Sequence, residues 1–465
     1  MNAPTIWILV PAAIAVILLF IQNQRRLSIL GGTLAVTLAL IAQFVPFETA
    51  MQIGPLSLKI DSTLTILGRV LVIQPAEGPL LALIYGAASL WLFGSEASKT
   101  ATRIVPLGLM IIALMVASIA VQPFLFAALF IEMAVLLSIP LVTSIHAPPG
   151  RGAIRFLIYQ TLAMPFILLS GWLLVGVEAS PGDLALAAQS AAMLGLGFAF
   201  LFAIFPLYNW VPMLAEETSP FIAGFIFWLL PTMTLIFGAG FLDRYSWLRS
   251  SPELTLALRF AGLLMVVSGG LFAAFQRHLG RMMAYGSIAE TGFAILALSL
   301  EPRLGVPILF LLIPARALGT AVWSLSLTVI KEHDPSLRFS SSRGLLRIAP
   351  FAGTGLVLAN LSVGAFPLLA GFPARLALWE GLSRDSLSAA LWLGIGIIGL
   401  LTGAFRSLAV LSMADEYSSW NPGESPTQMV MLGLGMTGLF ILGMLPQAIQ
   451  FFLSNLPLMF ERLGR

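Results

Sequence analysis

The sequence predicts an all-α polytopic membrane protein with about fourteen transmembrane helices. Three observations predict it. Of 465 residues, 58% are hydrophobic and only 10% are charged, whereas a soluble domain carries about a quarter charged residues. Apolar runs of roughly 20 residues, enough to cross a bilayer, recur along the whole length. Between them no stretch is long and polar enough for a separate soluble domain, which leaves no room for a redox cofactor domain.

The first seven spans fall near 5–21, 29–47, 76–94, 104–121, 123–145, 154–176 and 187–209. The other seven fall near 220–241, 254–275, 282–300, 306–330, 347–373, 386–413 and 428–452. The first is followed by Gln24, Arg25 and Arg26 without a small-residue cleavage site, so it is expected to be a retained helix. Alternate loops carry Arg25, Arg26, Lys99, Arg103, Arg151, Arg155, Arg277, Arg281, Lys331, Arg338, Arg343 and Arg347. The opposing loops and ends hold Lys59, Arg69, Arg244, Arg249, Arg303, Arg384, Arg462 and Arg465. That bias favours both termini on the outer side of the membrane.

Charge and composition exclude several function classes. With 24 Lys+Arg against 21 Asp+Glu, the net +3 offers no basic field for nucleic acid. Zero cysteines exclude disulfides, thiolate nucleophiles, iron–sulfur ligation and cysteine zinc sites. Only His146, His278 and His333 remain for a histidine-built metal centre, so neither metal nor cofactor is expected. The stretch Gly433-Leu-Gly-Met-Thr-Gly438 fits a dinucleotide pattern, but it lies inside an apolar span with no strand before it. Helix packing through small residues is the better reading. No Walker-type loop occurs. His278, between Arg277 and Arg281, reads as a solvated or lipid-facing loop residue, and the basic 331–347 loop as a positive-inside loop that could contact anionic lipid or a peripheral partner.

An internal echo points to transport. Phe205-Pro-Leu-Tyr-Asn-Trp-Val-Pro212 matches Phe366-Pro-Leu-Leu-Ala-Gly-Phe-Pro373 at four of eight positions, 161 residues apart. Each copy spaces two prolines six apart, Pro206 with Pro212 and Pro367 with Pro373, which removes amide donors and interrupts a helix. The copies fall in the seventh and twelfth spans and would run in opposite directions. Inverted repeats with broken helices mark transporters, because unwound backbone is tolerated only around a polar cavity. The intramembrane ionisable residues are Glu132 in the fifth span, Glu290 in the tenth, Arg316 in the eleventh, Arg375 after the second proline break and Arg406 in the thirteenth. Each costs a few kcal/mol at mid-bilayer and needs a partner or a task, either a proton relay or a structural Glu–Arg pair.

These residues resemble a family. The helix Arg281-Met-Met-Ala-Tyr-Gly-Ser-Ile-Ala-Glu-Thr-Gly-Phe293, the segment from Phe205 to Pro212 followed by Glu216 and Ser219-Pro220, Phe366-Pro-Leu-Leu-Ala-Gly-Phe372 with Arg375, and Ala404-Phe-Arg406 are similar to motifs of the antiporter-like membrane subunits. Those subunits occur in respiratory complex I (NADH:quinone oxidoreductase), Mrp-type cation/proton antiporters and membrane-bound hydrogenases. The resemblance covers roughly residues 105–410. It implies fourteen helices with two inverted five-helix repeats whose seventh and twelfth helices are discontinuous. The expected organisation is an N-terminal three-helix segment (1–103), a first repeat (104–241), a second repeat (254–413) and a C-terminal helix (414–465).

The departures matter as much. The family's seventh-helix Lys position holds Phe200, its eighth-helix Lys or His falls among the uncharged residues 226–230, and its usual Asp is Met213. Arg375 and Arg316 stand where the family carries lysines. An arginine is effectively always charged, whereas a buried lysine can release its proton. The only lysines, Lys59, Lys99 and Lys331, fall outside the predicted membrane core. Glu132 is therefore expected to lack its cationic partner.

The function expected is that of a membrane subunit of a complex I-like assembly. It would contribute to translocating protons or monovalent cations, in coupling to electron transfer, through Glu132, Glu290, Arg316, Arg375 and Arg406. The chain itself carries no redox chemistry and no catalytic residue. The alternative is a non-conducting structural subunit of the same kind of complex. An independent solute carrier is a weaker third reading. Expected partners are other membrane subunits, lipid and the translocated ion, and the expected location is a prokaryotic cytoplasmic membrane.

Overall fold

A computed structural model describes residues 2–49, 51–53, 56–66, 68–143, 148–179, 183–413, 420 and 422–463. His146, the end of the predicted 123–145 span and the start of the expected C-terminal segment lie outside these residues.

The chain is a bundle of helices. It opens with a π-helical turn (Thr5–Leu9) running into α1 (Val10–Leu18), then α2 (Gln24–Phe44), whose first turn is capped by Asn23 accepting from the Arg26 amide at 3.0 Å. Two small antiparallel sheets follow, β1 (Met51–Ile53) with β2 (Leu56–Leu58), and β3 (Thr63–Ile66) with β4 (Arg69–Val72) and the later β5 (Val121–Gln122). Strands of two to four residues are too short for hydropathy to signal, and the span reading contains none of them. Next come α3 (Gly78–Ala97), α4 (Ala101–Ala120), α5 (Ala127–Val142), α6 (Arg151–Ala179), α7 (Leu184–Leu201) and α8 (Trp210–Glu217). The second half holds α9 (Pro220–Arg244), α10 (Ser246–Arg249), α11 (Pro252–Phe275), α12 (Leu279–Leu298) and α13 (Pro302–His333). It closes with α14 (Pro350–Val363), α15 (Phe372–Asp385), α16 (Leu387–Ser412), α17 (Pro426–Met444) and α18 (Gln447–Leu453).

Eleven helices among the described residues are long and apolar enough to cross a membrane. Every one of the fourteen predicted segments contains helix. Three fall outside the eleven: Thr5–Leu18 and Pro350–Val363 are shorter, and α12 carries Arg281 and Glu290.

Helices α9 and α13 form the centre, since almost every side chain of α9 is buried, as expected of a helix apolar all round. Trp91 of α3 stacks on Trp228 of α9 with centroids 5.9 Å apart. Outer helices pack by close backbone approach at small residues. A Cβ at Gly262 of α11 would stand 3.0 Å from the Gly292 carbonyl of α12, and one at Gly270 would collide with the Gly396 backbone of α16. On α17 the Gly433–Gly438 stretch instead makes room for side chains, since added Cβ atoms at Gly435 and Gly438 would run into the Val322 and Leu318 side chains of α13.

Candidate functional site

Both proline motifs lie at helix breaks. Helix α7 stops at Leu201, Ala203 takes φ +54°, and helical structure resumes through Leu207–Asn209 into α8. Helix α14 stops at Val363, Ala365 and Leu368 take φ +58° and +71°, and α15 begins at Phe372. Left-handed φ at three non-glycine residues redirects the chain at a strain cost of order 1–3 kcal/mol each. Pro206 and Pro367 sit in the breaks, whereas Pro212 and Pro373 occupy the first turns of the resumed helices. There a missing amide costs nothing, because the first four N–H groups of a helix have no intrahelical acceptor.

Each break is serviced by a polar side chain. Buried Gln160 of α6 donates to the carbonyls of Phe200 and Leu201 at 3.4 and 3.3 Å. Ser362 accepts from the Gly371 amide at 3.1 Å. Sequence reasoning missed Gln160, although a glutamine inside a long apolar helix was a visible signal.

Three of the predicted residues converge. Arg375, in the first turn of α15, donates to Glu290 of α12 at 3.0 Å, and its guanidinium lies 4.7 Å from the Phe293 ring. Arg316 of α13 places Nε 3.8 Å from the other Glu290 oxygen, which also accepts from Thr320 at 3.3 Å. All three side chains are at least 95% buried. Arg316 is held from behind by an acceptor that the sequence creates. Pro231 of α9 has no N–H, so the Phe227 carbonyl four residues earlier loses its helical donor. Arg316 Nη2 donates to that carbonyl at 2.7 Å and to Thr291 Oγ1 at 3.0 Å.

The cluster thus opposes two guanidiniums to one carboxylate. Nε and Nη1 of both arginines have no hydrogen-bond acceptor among the described residues. The three side chains, with Thr232, Leu235, Ala294, Leu309, Leu312 and Ile313, enclose a cavity of about 10 Å³, room for one water-sized molecule. Chemically the arrangement fixes charge and polarises whatever enters. It contains no lysine or histidine able to pass a proton on.

Glu132 and Arg406 stand apart. Glu132 of α5 is half-buried, accepts from Thr161 of α6 at 2.8 Å and makes no ion pair among the described residues, while its Oε2 is buried without a partner. Phe200 fills the expected lysine position by packing between Tyr159 and Phe166 of α6, with centroids 6.0 and 5.9 Å away. Arg406 of α16 donates to the Ala274 carbonyl in the last turn of α11 and lies over Phe339.

His278 has a defined role that the loop reading did not give it. Its Nδ1 accepts from the amides of Gly280 and Arg281, at 3.1 and 3.3 Å, and so caps α12. Burial lowers its pKa, the nearby Glu216 carboxylate works against that, and the Arg281, Lys331 and Arg338 cations reinforce it. Arg281 in turn pairs with Glu216 of α8, tying the resumed half of the broken helix to α12. Among the described residues no group of three or more metal-ligating side chains occurs.

Comparison with known proteins agrees with this geometry. The family model described as NADH:quinone oxidoreductase/Mrp antiporter, transmembrane, matches residues 125–402, from just before α5 into α16. NAD(P)H-quinone oxidoreductase chain 4 1 of Synechococcus sp. (strain JA-2-3B'a(2-13)) is 28% identical over 306 residues, 62% of this chain and 57% of the relative. The chain thus matches little more than half the length of that relative. NADH-quinone oxidoreductase subunit 14 of Thermus thermophilus is 28% identical over 330 residues, 67% of this chain and 71% of the relative. The same fold occurs in an archaeal membrane-bound sulfane sulfur reductase (TM-score 0.82, 17% identity, 98% of this chain and 96% of that one). It occurs in respiratory complex I from Thermus thermophilus (0.76, 19%, 99% and 100%) and in the Mrp complex from Dietzia sp. DQ12-45-1b (0.79, 15%, 98% and 96%). With more than half of the chain matched, and with the buried cluster and both helix breaks inside the matched region, the chain belongs to the NADH:quinone oxidoreductase/Mrp antiporter membrane family.

Proposed function

We propose that the chain is a membrane subunit of a redox-driven, ion-translocating assembly, and that its contribution to translocation centres on Glu290. The observation that carries this reading is the burial of Glu290 between Arg316 and Arg375, at the only place where α12, α13 and the resumed helix α15 bring ionisable side chains together among the described residues. An apolar core would be cheaper there, by the general rule that buried ion pairs seldom add stability over well-packed hydrophobic residues.

In this reading the chain makes about fourteen crossings. Residues 104–241 and 254–413 are inverted repeats between an N-terminal segment (1–103) and a C-terminal one (414–465), and both termini lie on the outer side. The partners are sister membrane subunits, the ion is a proton or monovalent cation, and the membrane is a prokaryotic cytoplasmic one. Support comes from the relatives' printed roles as quinone oxidoreductase subunits and from the multi-subunit complexes that share the fold. A specific observation favours the non-conducting alternative: Phe200 and the lack of an ionisable side chain at residues 226–230 of α9 leave Glu132 without a basic partner, and both cations at Glu290 are arginines.

Ion uptake per electron by the assembled complex in sealed vesicles separates the two. Glu290→Gln is paired with Arg316→Gln, so that the net charge of the cluster stays the same, and Glu132→Gln is made separately. A fall in ion uptake at unchanged electron transfer supports conduction. Unchanged coupling in both variants, with assembly intact, moves the assignment to a structural subunit.

A further inference from the structure

Two adjoining depressions on one face have opposite chemistry and share a residue. The first, of about 390 Å³, is lined by Glu216, Gln276, Arg277, His278, Arg281, Arg338, Phe339 and Ser340. Its three guanidiniums face one carboxylate, and that carboxylate is already engaged by Arg281. The side chains of Arg277 and Arg338 are exposed and make no hydrogen bond or ion pair among the described residues. With His278 held toward its neutral form, the cleft keeps a net charge of +2 at neutral pH.

The second depression, of about 510 Å³, is an apolar groove between the C-terminal end of α11 and the middle of α16, lined by Leu271, Phe275, Ile395 and Ile398 together with Thr402 and Arg406. Its apolar side chains are exposed, from 39% for Ile395 to 77% for Phe275. Helices α11 and α16 touch backbone to backbone at Gly270 and Gly399, and the groove opens beyond that contact. Arg277 lines both depressions.

We propose that this continuous surface is a binding site for an anionic phospholipid, with the phosphate held by Arg277 and Arg338 and an acyl chain laid along the α11/α16 groove. Charge complementarity selects the occupant. A cationic cleft ending in a hydrocarbon-lined groove matches a molecule carrying an anion at one end and an alkyl chain at the other. Guanidinium is suited to phosphate because its planar fork donates in pairs, and basic pockets between transmembrane helices are sites where charged headgroups bind. A free phosphate would leave the groove unfilled. Arg277 and Arg338 lie in loops and Arg281 in the first turn of α12, at the end that the charge bias assigns to the inner side, where anionic lipid is attracted.

The test uses the assembled complex reconstituted in discs of equal phosphatidylglycerol and phosphatidylcholine, with retained lipid counted by native mass spectrometry. Phosphatidylglycerol should be retained over phosphatidylcholine. Arg277→Gln with Arg338→Gln should weaken that retention about thirtyfold, from roughly 1 kcal/mol for each cation. Thr402→Trp, which fills the groove and leaves the charges alone, should lower retention of both lipids at the site. Equal retention of the two lipids by the unaltered complex would overturn the proposal. So would full displacement by water-soluble glycerophosphate, which would show an anion site without an acyl groove. Efficient cross-linking of Thr402→Cys to a sister subunit would overturn it as well, because protein would then cover the groove.

Discussion

Replacing Glu290 with glutamine is the sharpest probe of the buried cluster, because it changes charge while nearly preserving shape. The native cluster carries two guanidiniums and one carboxylate. Glu290→Gln leaves both cations uncompensated, and removing one partner of a buried pair costs about 3–5 kcal/mol. Arg316→Met acts differently. Arg375 keeps its 3.0 Å hydrogen bond to Glu290, the cluster becomes neutral, and the desolvation of one arginine is relieved. Against that stand the lost bonds to the Phe227 carbonyl and Thr291, so the net loss should stay below about 2 kcal/mol. In the double variant one cation remains, as in the native sum, and its stability should lie closer to that of Arg316→Met than to that of Glu290→Gln. The two sites should therefore couple by at least about 1 kcal/mol. The assay is the fraction of intact complex surviving a series of temperatures, ranked by size exclusion, since unfolding of such an assembly is governed by rates. An Arg316→Met variant as fragile as Glu290→Gln, or a double variant more fragile than either, would refute the charge argument.

Two further predictions concern the scaffold. Protonation of His278 would remove the Nδ1 acceptor for the Gly280 and Arg281 amides. Its folded pKa is depressed, so an unfolded segment binds the proton first and stability falls as pH drops below about 6.5. Hydrogen exchange at those two amides, corrected for intrinsic rate, should lose protection between pH 7.5 and 5.5 in the native chain and hold it in His278→Asn; equal behaviour of the two would refute the cap. Gly270→Val should force α11 and α16 apart at the Gly396 backbone, costing at least about 1–3 kcal/mol, and unchanged thermal survival would contradict so close a contact.

The sequence by itself determined what depends on local composition. Run length and apolarity placed fourteen segments that all contain helix, though not the short α8 and α10 or most of α15; the proline pairs located both interruptions, and rarity singled out Glu290 and Arg316 inside apolar spans and Arg375 after the second break. Motif order made the family legible before any contact was known. Only the tertiary structure decided which of those residues meet. Hydropathy carries no direction in a helix such as α9 that is apolar all round, so nothing in the sequence says that the carbonyl freed by Pro231 faces Arg316. Rotation and approach are set by packing between helices, at glycines such as Gly262 and Gly270 where backbones touch. The same packing brings Arg375 to Glu290 across 85 residues, a meeting the sequence did not specify, and leaves Glu132 with only Thr161. The small sheets of the 51–72 region were invisible for a related reason: strands this short are specified by their pairing partners, one of which, Val121–Gln122, lies about fifty residues away.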